Sequence, residues 1–159
     1  MLLNTIFYDW ILPNKQAFIN EFKDDDAKRN AAKAFVSSLS NCDLLLFITC
    51  VGLTLAACIS YYTWYNKIVK PWGYHYRKRH WTAWLVIALI LTFLAAKLFC
   101  IPLLKNVGLQ GTDGFIWRFY IGNAIYTVVG FFIISFVWCS WLPTNAYRWL
   151  KFKRNNSKR

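Results

Sequence analysis

The chain has 159 residues and is 57% hydrophobic, 19% aromatic and 16% charged, with a formal net charge of +12 at pH 7. A typical soluble domain has about 45–50% apolar and about 25% charged residues, so this composition argues against a soluble globular protein and favours a membrane protein. Six of the seven acids and five of the nineteen Lys and Arg residues lie in the first 43 positions. The chain therefore combines a nearly neutral head with a basic, apolar body.

The head, residues 1–43, is predicted to be an amphipathic helical segment at the outer membrane–water interface. Apolar residues between Leu2 and Ile11 recur at three- and four-residue spacing, and Pro13 ends the pattern. Such a helix lies in the plane of the interface, which would place Trp10 at headgroup depth. The run is too short and lacks the basic start of a secretory signal peptide.

Three long apolar runs follow the head and are predicted to be transmembrane helices, at 44–66, 81–104 and 119–142. As a helix, the first reaches about 34 Å, which exceeds the roughly 30 Å of a bilayer's hydrocarbon core. Lys97 is the only charge inside the three runs. The predicted fold is an all-α integral membrane protein, with three transmembrane helices preceded by an amphipathic, interfacial helical segment.

The distribution of basic residues predicts the orientation. The loop 67–80 and the tail 143–159 lie on one side and together hold eleven Lys and Arg residues. The other side holds six, which are the five of the head and Lys105, or eight when Lys97 and Arg118 are included. Because positively charged loops stay on the cytoplasmic side, we expect the N-terminus outside and the C-terminus in the cytoplasm.

The stretch KPWGYHYRKRHW, residues 70–81, resembles a nucleic-acid patch in composition, because it mixes basic and aromatic side chains. Its place between two spans favours a cytoplasmic loop at headgroup depth, within a tryptophan belt. We therefore expect no nucleic-acid partner, and we expect the loop's basic side chains to bind anionic lipid headgroups. These side chains are Lys70, Arg77, Lys78 and Arg79.

The sequence offers little for catalysis or metal binding. Four of the five cysteines lie in apolar runs, and no C-x-x-C pair or Cys/His metal spacing occurs. Cys42, Cys50 and Cys58 recur every eight residues, an advance of about 80° that does not keep one helix face. No catalytic motif is present, so we expect a protein that is not an enzyme and has no cofactor or metal.

Small residues predict where the helices pack closely. Gly52, Ala56 and Ser60 form a small-xxx-small row on the first span, and Gly122 and Gly130 give the third span a looser equivalent. Such residues let helix backbones approach each other in lipid. The pattern fits contacts within one chain and contacts between chains equally well.

Two function classes remain open. The first is a non-enzymatic subunit or anchor of a membrane-embedded assembly, with other membrane subunits or further copies of itself as partners. The alternative is a homo-oligomeric channel or membrane-permeabilising protein with Lys97 and Arg118 near the pore, since an ionisable residue within a span suggests function. The lack of a signal peptide or organelle address suggests a bacterial inner membrane.

Overall fold

The computed structural model describes residues 7–8, 10–12, 14–65, 78–105, 109 and 111–141. This part of the chain is helical and contains no β-strand. Its four helices in chain order are α1 (Lys15–Asn20), α2 (Asp26–Thr63), α3 (Lys78–Lys105) and α4 (Asp113–Trp141). Residues 67–77 of the predicted inner loop and the whole predicted tail, 143–159, lie outside the described residues.

Three of these helices, α2, α3 and α4, are long and apolar enough to cross a membrane. With 28 and 29 residues, α3 and α4 are about 42 and 43 Å long, close to the 40–45 Å of a bilayer with its headgroups. The 38 residues of α2 extend over about 57 Å. At this length α2 is longer than a bilayer with its headgroups is thick.

The start of α2 differs from the boundary predicted between head and first span at 43/44. One continuous helix begins at Asp26 and includes the last 18 residues of the predicted head. The Asp25 side chain caps it by accepting hydrogen bonds from the backbone N–H groups of Ala27 and Lys28, both at 3.1 Å. No glycine or proline interrupts 26–43, so the backbone has no reason to break where the composition changes.

The N-terminal segment, defined here as residues 7–8 and 10–12, forms turns instead of the helix predicted for the start of the chain. The backbone N–H groups of Ile11 and Leu12 both donate to the Tyr8 carbonyl at 3.0 Å. Residues 1–6 and 9, which complete that predicted helix, lie outside the described residues. The short helix α1, capped by the Asn14 side chain, follows.

The helices α2 and α4 run parallel, with a constant offset. The Cys50 thiol lies 3.6 Å from the Asn123 carbonyl oxygen, and the Cys58 thiol lies 3.8 Å from the Phe131 carbonyl oxygen, with 73 residues between the partners in both cases. Eight residues advance a helix by about 80°, which still fits within the wide stripe that a core-facing helix buries. Cys50 and Cys58 therefore both face α4, contrary to the expectation that their spacing does not keep one face.

The helix α3 runs antiparallel to α4 and completes the bundle. Near its start, the Trp81 indole N–H donates to Ser135 Oγ at 3.1 Å, and further along Thr92 Oγ1 lies 2.9 Å from Thr127 Oγ1. The Phe93 ring packs against the Tyr120 ring, closer to the N-terminal end of α4.

The core has two parts, one towards each end of the bundle. Where α1 packs on the bundle, the rings of Phe18, Phe35 and Phe115 lie 5.0 to 5.9 Å apart. Near the other end of the spans, Tyr61, Tyr62, Trp81 and Phe131 are buried. The N-terminal segment and α1 thus pack on the end of the bundle where α4 begins, with Tyr8 and Phe18 buried.

Candidate functional site

The N-terminal segment enters the bundle through Tyr8, which is completely buried. Its ring lies directly against Gly122 of α4: a Cβ at that position would stand 2.7 Å from Tyr8 Cδ1, closer than Cβ atoms pack in real structures. The Tyr8 hydroxyl donates a hydrogen bond to the Asn123 side-chain oxygen Oδ1. The adjacent pair Gly122 and Asn123 therefore provides the space and the polar partner for one tyrosine.

Side chains of α4 bind the backbone of the N-terminal segment. The Phe7 carbonyl accepts hydrogen bonds from the Tyr126 hydroxyl and, at 2.9 Å, from the Trp10 indole N–H. The Ile11 carbonyl accepts one at 3.0 Å from Nη1 of Arg118. Backbone groups that are not paired within a helix need such partners when little water reaches them. Tyr126 and Arg118 thus hold the segment on the bundle and satisfy its carbonyls.

On its other side, the N-terminal segment contacts α2. The rings of Phe7 and Phe47 are stacked, with their centroids 4.0 Å apart and their planes 7° from parallel. The Phe7 N–H donates to Asp43 Oδ2 at 3.4 Å, and Asp43 itself is only 3% exposed. A buried carboxylate is costly without hydrogen bonds, so Asp43 is a structural partner of the segment and not a solvated charge of the head.

A polar cluster joins the N-terminal segment to all three long helices. Its members are Tyr8, Cys50 of α2, Thr92 of α3, and Asn123 and Thr127 of α4. The Thr127 hydroxyl lies 2.7 Å from the Asn123 carbonyl oxygen, 2.9 Å from Thr92 Oγ1 and 3.4 Å from the Cys50 sulfur. Hydrogen bonds of this kind between membrane helices contribute about 0.6 kcal/mol on average. The cluster thus fixes which faces of the helices meet.

The polar cluster consists of hydroxyls, a thiol and an amide. It contains no carboxylate, imidazole or amine that could act as an acid or base near neutral pH. In the part of the chain that the structure describes, no three His, Cys, Asp or Glu side chains come together as metal ligands would. The arrangement is suited to holding helices together and to offering hydrogen bonds.

The glycines predicted for helix packing divide between the two spans. Gly122 meets Tyr8, and a Cβ on Gly130 would lie 3.5 Å from Thr54 Cγ2 on α2, an ordinary contact. Around Gly52, by contrast, no described atom outside its chain neighbours and its own helix backbone lies within 4 Å of where a Cβ would be. Ala56 and Ser60 are likewise exposed. The row on α2 packs on none of the described helices, and a role in contacts between chains stays a prediction.

The two cations predicted near a pore lie in different surroundings. Lys97 is exposed on the outside of α3, one residue beyond the buried Ala96. Arg118 is also exposed, but its guanidinium binds the Ile11 carbonyl and so anchors the N-terminal segment. Neither side chain belongs to the polar cluster in the bundle's interior.

The predicted headgroup-binding residues are described only in part. Lys78 and Arg79 are exposed in the first turn of α3, whereas Lys70 and Arg77 lie outside the described residues. Of the tryptophans expected in an interfacial belt near them, Trp64 and Trp141 are exposed. Trp81 is 2% exposed and hydrogen-bonded to Ser135, so it is a core residue.

Sequence reasoning identified Gly122 but missed most of the polar cluster. Thr92 and Thr127 carry a usable signal, because they are polar positions within otherwise apolar runs. Tyr8 carries none, since aromatic residues surround it in the sequence and its partner Asn123 is 115 positions away. No family model, curated protein or solved structure matches the chain.

Proposed function

We propose that this chain is a non-enzymatic integral membrane protein that serves as a subunit or anchor of a membrane-embedded assembly. Its three long apolar helices support insertion in a bilayer. The excess of basic residues flanking the inner ends of the spans supports a cytoplasmic C-terminus and an N-terminus outside. The exposed Lys78 and Arg79 would then meet anionic headgroups on the cytoplasmic side.

The observation that carries the proposal is the uncovered row of small residues on α2. Gly52 has open space where a side chain would be, and Ala56 and Ser60 follow it one and two turns on, both exposed. In lipid, helices associate through close packing at such rows because apolar side chains gain little from leaving lipid. A transmembrane helix of another subunit, or of a second copy, would fit against this face.

The test is the native mass of the purified protein with whatever copurifies, compared between Gly52→Leu and Val51→Leu. Val51 is the matched control, since it is the adjacent residue on α2 and 44% exposed. Gly52→Leu should release the partner subunits, while Val51→Leu should retain them. Both variants should unfold like wild type, because Gly52 contacts no described neighbour. A wild-type mass equal to one chain, or identical masses for the two variants, would contradict the proposal.

The exposure of Lys97 favours a second candidate, the homo-oligomeric channel. A lysine in hydrocarbon costs about 2.5–3.5 kcal/mol at a span centre, and a water-filled space between copies would remove that cost. In planar bilayers, Lys97→Leu should then shift the reversal potential under a salt gradient away from anion selectivity. An absence of conductance in wild type would exclude this candidate and leave the assembly subunit.

A further inference from the structure

A groove of about 300 Å³ lies between α3 and α4 on the outer surface of the bundle. Val86, Ile90 and Phe93 line it on α3, and Tyr120, Asn123 and Ala124 line it on α4. This volume is at the lower end of the range for small-molecule sites. A helix with its side chains is about 10–12 Å across, so the groove suits a single extended chain better than a packed helix.

One buried donor in the wall of this groove has no acceptor. Asn123 is 2% exposed, and its Oδ1 already accepts from the Tyr8 hydroxyl. The other end of the amide, Nδ2, has no hydrogen-bond partner among the described residues. A buried N–H without a partner costs about 1–3 kcal/mol. Asn123 lines the groove, so its unused donor lies buried in a mostly apolar wall, where Thr92 and Tyr120 carry the other polar groups.

The donor stands near one end of the groove. On α3 the lining extends from Val86 to Leu94, a rise of about 12 Å along the helix axis. Because α3 and α4 are antiparallel and Phe93 packs on Tyr120, the Asn123 end lies towards the start of α4 and the Val86 end lies deeper. An amphiphile with an acceptor at one end and an apolar tail matches this arrangement.

We infer that the groove binds one acyl chain of a glycerophospholipid, with the ester carbonyl accepting a hydrogen bond from Asn123 Nδ2. The tail extends along Ile90 towards Val86, parallel to the helices. The lipid belongs to the leaflet at the start of α4, which is the outer one in the orientation proposed above. The inference rests on the proposed function in one respect, that the chain is inserted in a bilayer. It does not require a partner subunit.

The experiment uses the full chain in nanodiscs with a phosphatidylcholine that carries a photoreactive diazirine on its acyl chain. Cross-links should concentrate on the α3 peptide that contains Val86 and Ile90. Unlabelled ester phosphatidylcholine should compete more strongly than its ether-linked analogue, between about twofold and tenfold, the range that one neutral hydrogen bond provides. Equal competition by the two lipids would overturn the role of Asn123.

Two variants test the place of binding without removing the contact to Tyr8. Ala124→Phe fills the groove from an exposed position and should reduce the α3 cross-links several-fold. Ile48→Phe adds the same bulk on α2, 57% exposed and away from the groove, and should leave them unchanged. Cross-links spread evenly over α2 and α3, or unaffected by Ala124→Phe, would overturn the inference. A single-chain native mass would contradict the assembly proposal while leaving this result in place.

Discussion

At the scale of single residues, the contact between Tyr8 and Gly122 leaves no room for an added side chain. Added bulk in a packed interior typically costs 1–3 kcal/mol, and a methyl group at Gly122 would collide with the Tyr8 ring at 2.7 Å. We expect Gly122→Ala to lower the free energy of unfolding by about that amount in detergent. In a Tyr8→Ala background the same substitution should cost much less, because the colliding ring is gone.

Two other glycines serve as controls for this prediction. Gly130→Ala places its methyl at an ordinary 3.5 Å from Thr54 Cγ2 and should be close to neutral. Gly52→Ala enters open space and should be neutral or stabilising by up to about 1 kcal/mol, the difference in helix propensity. If all three alanine variants unfold alike, the close approach at Gly122 has no energetic importance.

The sequence predicts some of these residue contacts and not others, for a physical reason. Small size is visible in the sequence, so Gly122 and Gly130 could be proposed as packing positions. The partner of a small residue is not visible, because it depends on how neighbouring helices are rotated about their axes. Gly52 has the same sequence signature as Gly122, yet its face is uncovered in the bundle.

At the scale of helices, hydropathy predicted that the three spans exist but not where each helix ends. A run without charges reports which residues tolerate hydrocarbon, whereas a helix ends where its backbone hydrogen bonds find other partners. The start of α2 at Asp26 follows from the cap at Asp25, well before the apolar run begins. In the N-terminal segment, α4 side chains bind the carbonyls of Phe7 and Ile11. The described residues of this segment therefore form turns, although the apolar residues recur at helical spacing.

The cap of α2 gives a prediction about pH. The Lys28 backbone N–H, then the Lys28 side chain, hold the pKa of the Asp25 carboxyl below its usual range. A carboxyl with a lowered folded-state pKa stabilises the fold above its unfolded pKa of about 3.9, and this contribution is lost as the pH falls through the folded value. Hydrogen-exchange protection at the Ala27 and Lys28 amides should therefore be present at neutral pH and decrease in strong acid.

The matched variants for this cap are Asp25→Asn and Asp24→Asn. An asparagine keeps a capping oxygen but removes the charge, so Asp25→Asn should lower the protection at neutral pH and make it independent of acid. Asp24 is exposed and does not accept the two capping bonds, so Asp24→Asn should retain the wild-type pH dependence. An acid response shared by wild type and Asp25→Asn would show that another group controls this end of α2.

At the scale of the whole molecule, the predicted orientation can be tested with a membrane-impermeant thiol reagent. Asn30 is exposed near the start of α2, and Asn156 lies in the basic tail outside the described residues. In intact cells, Asn30→Cys should be labelled above the wild-type background, while Asn156→Cys should be labelled only after lysis. The reverse pattern would overturn the orientation and exchange the leaflets assigned to the lipid site and the basic loop.

The burial of Tyr8 also imposes an order on biosynthesis. Its partner Asn123 is 115 residues further along, and Tyr126 is 119 residues beyond Phe7. At about 5–20 residues per second, the ribosome adds Asn123 roughly 6 to 23 s after it has added Tyr8. Throughout that time the N-terminal segment lacks its binding surface, and it can dock only when α4 has entered the bundle. A segment that is made before the three long helices therefore reaches its place only after them.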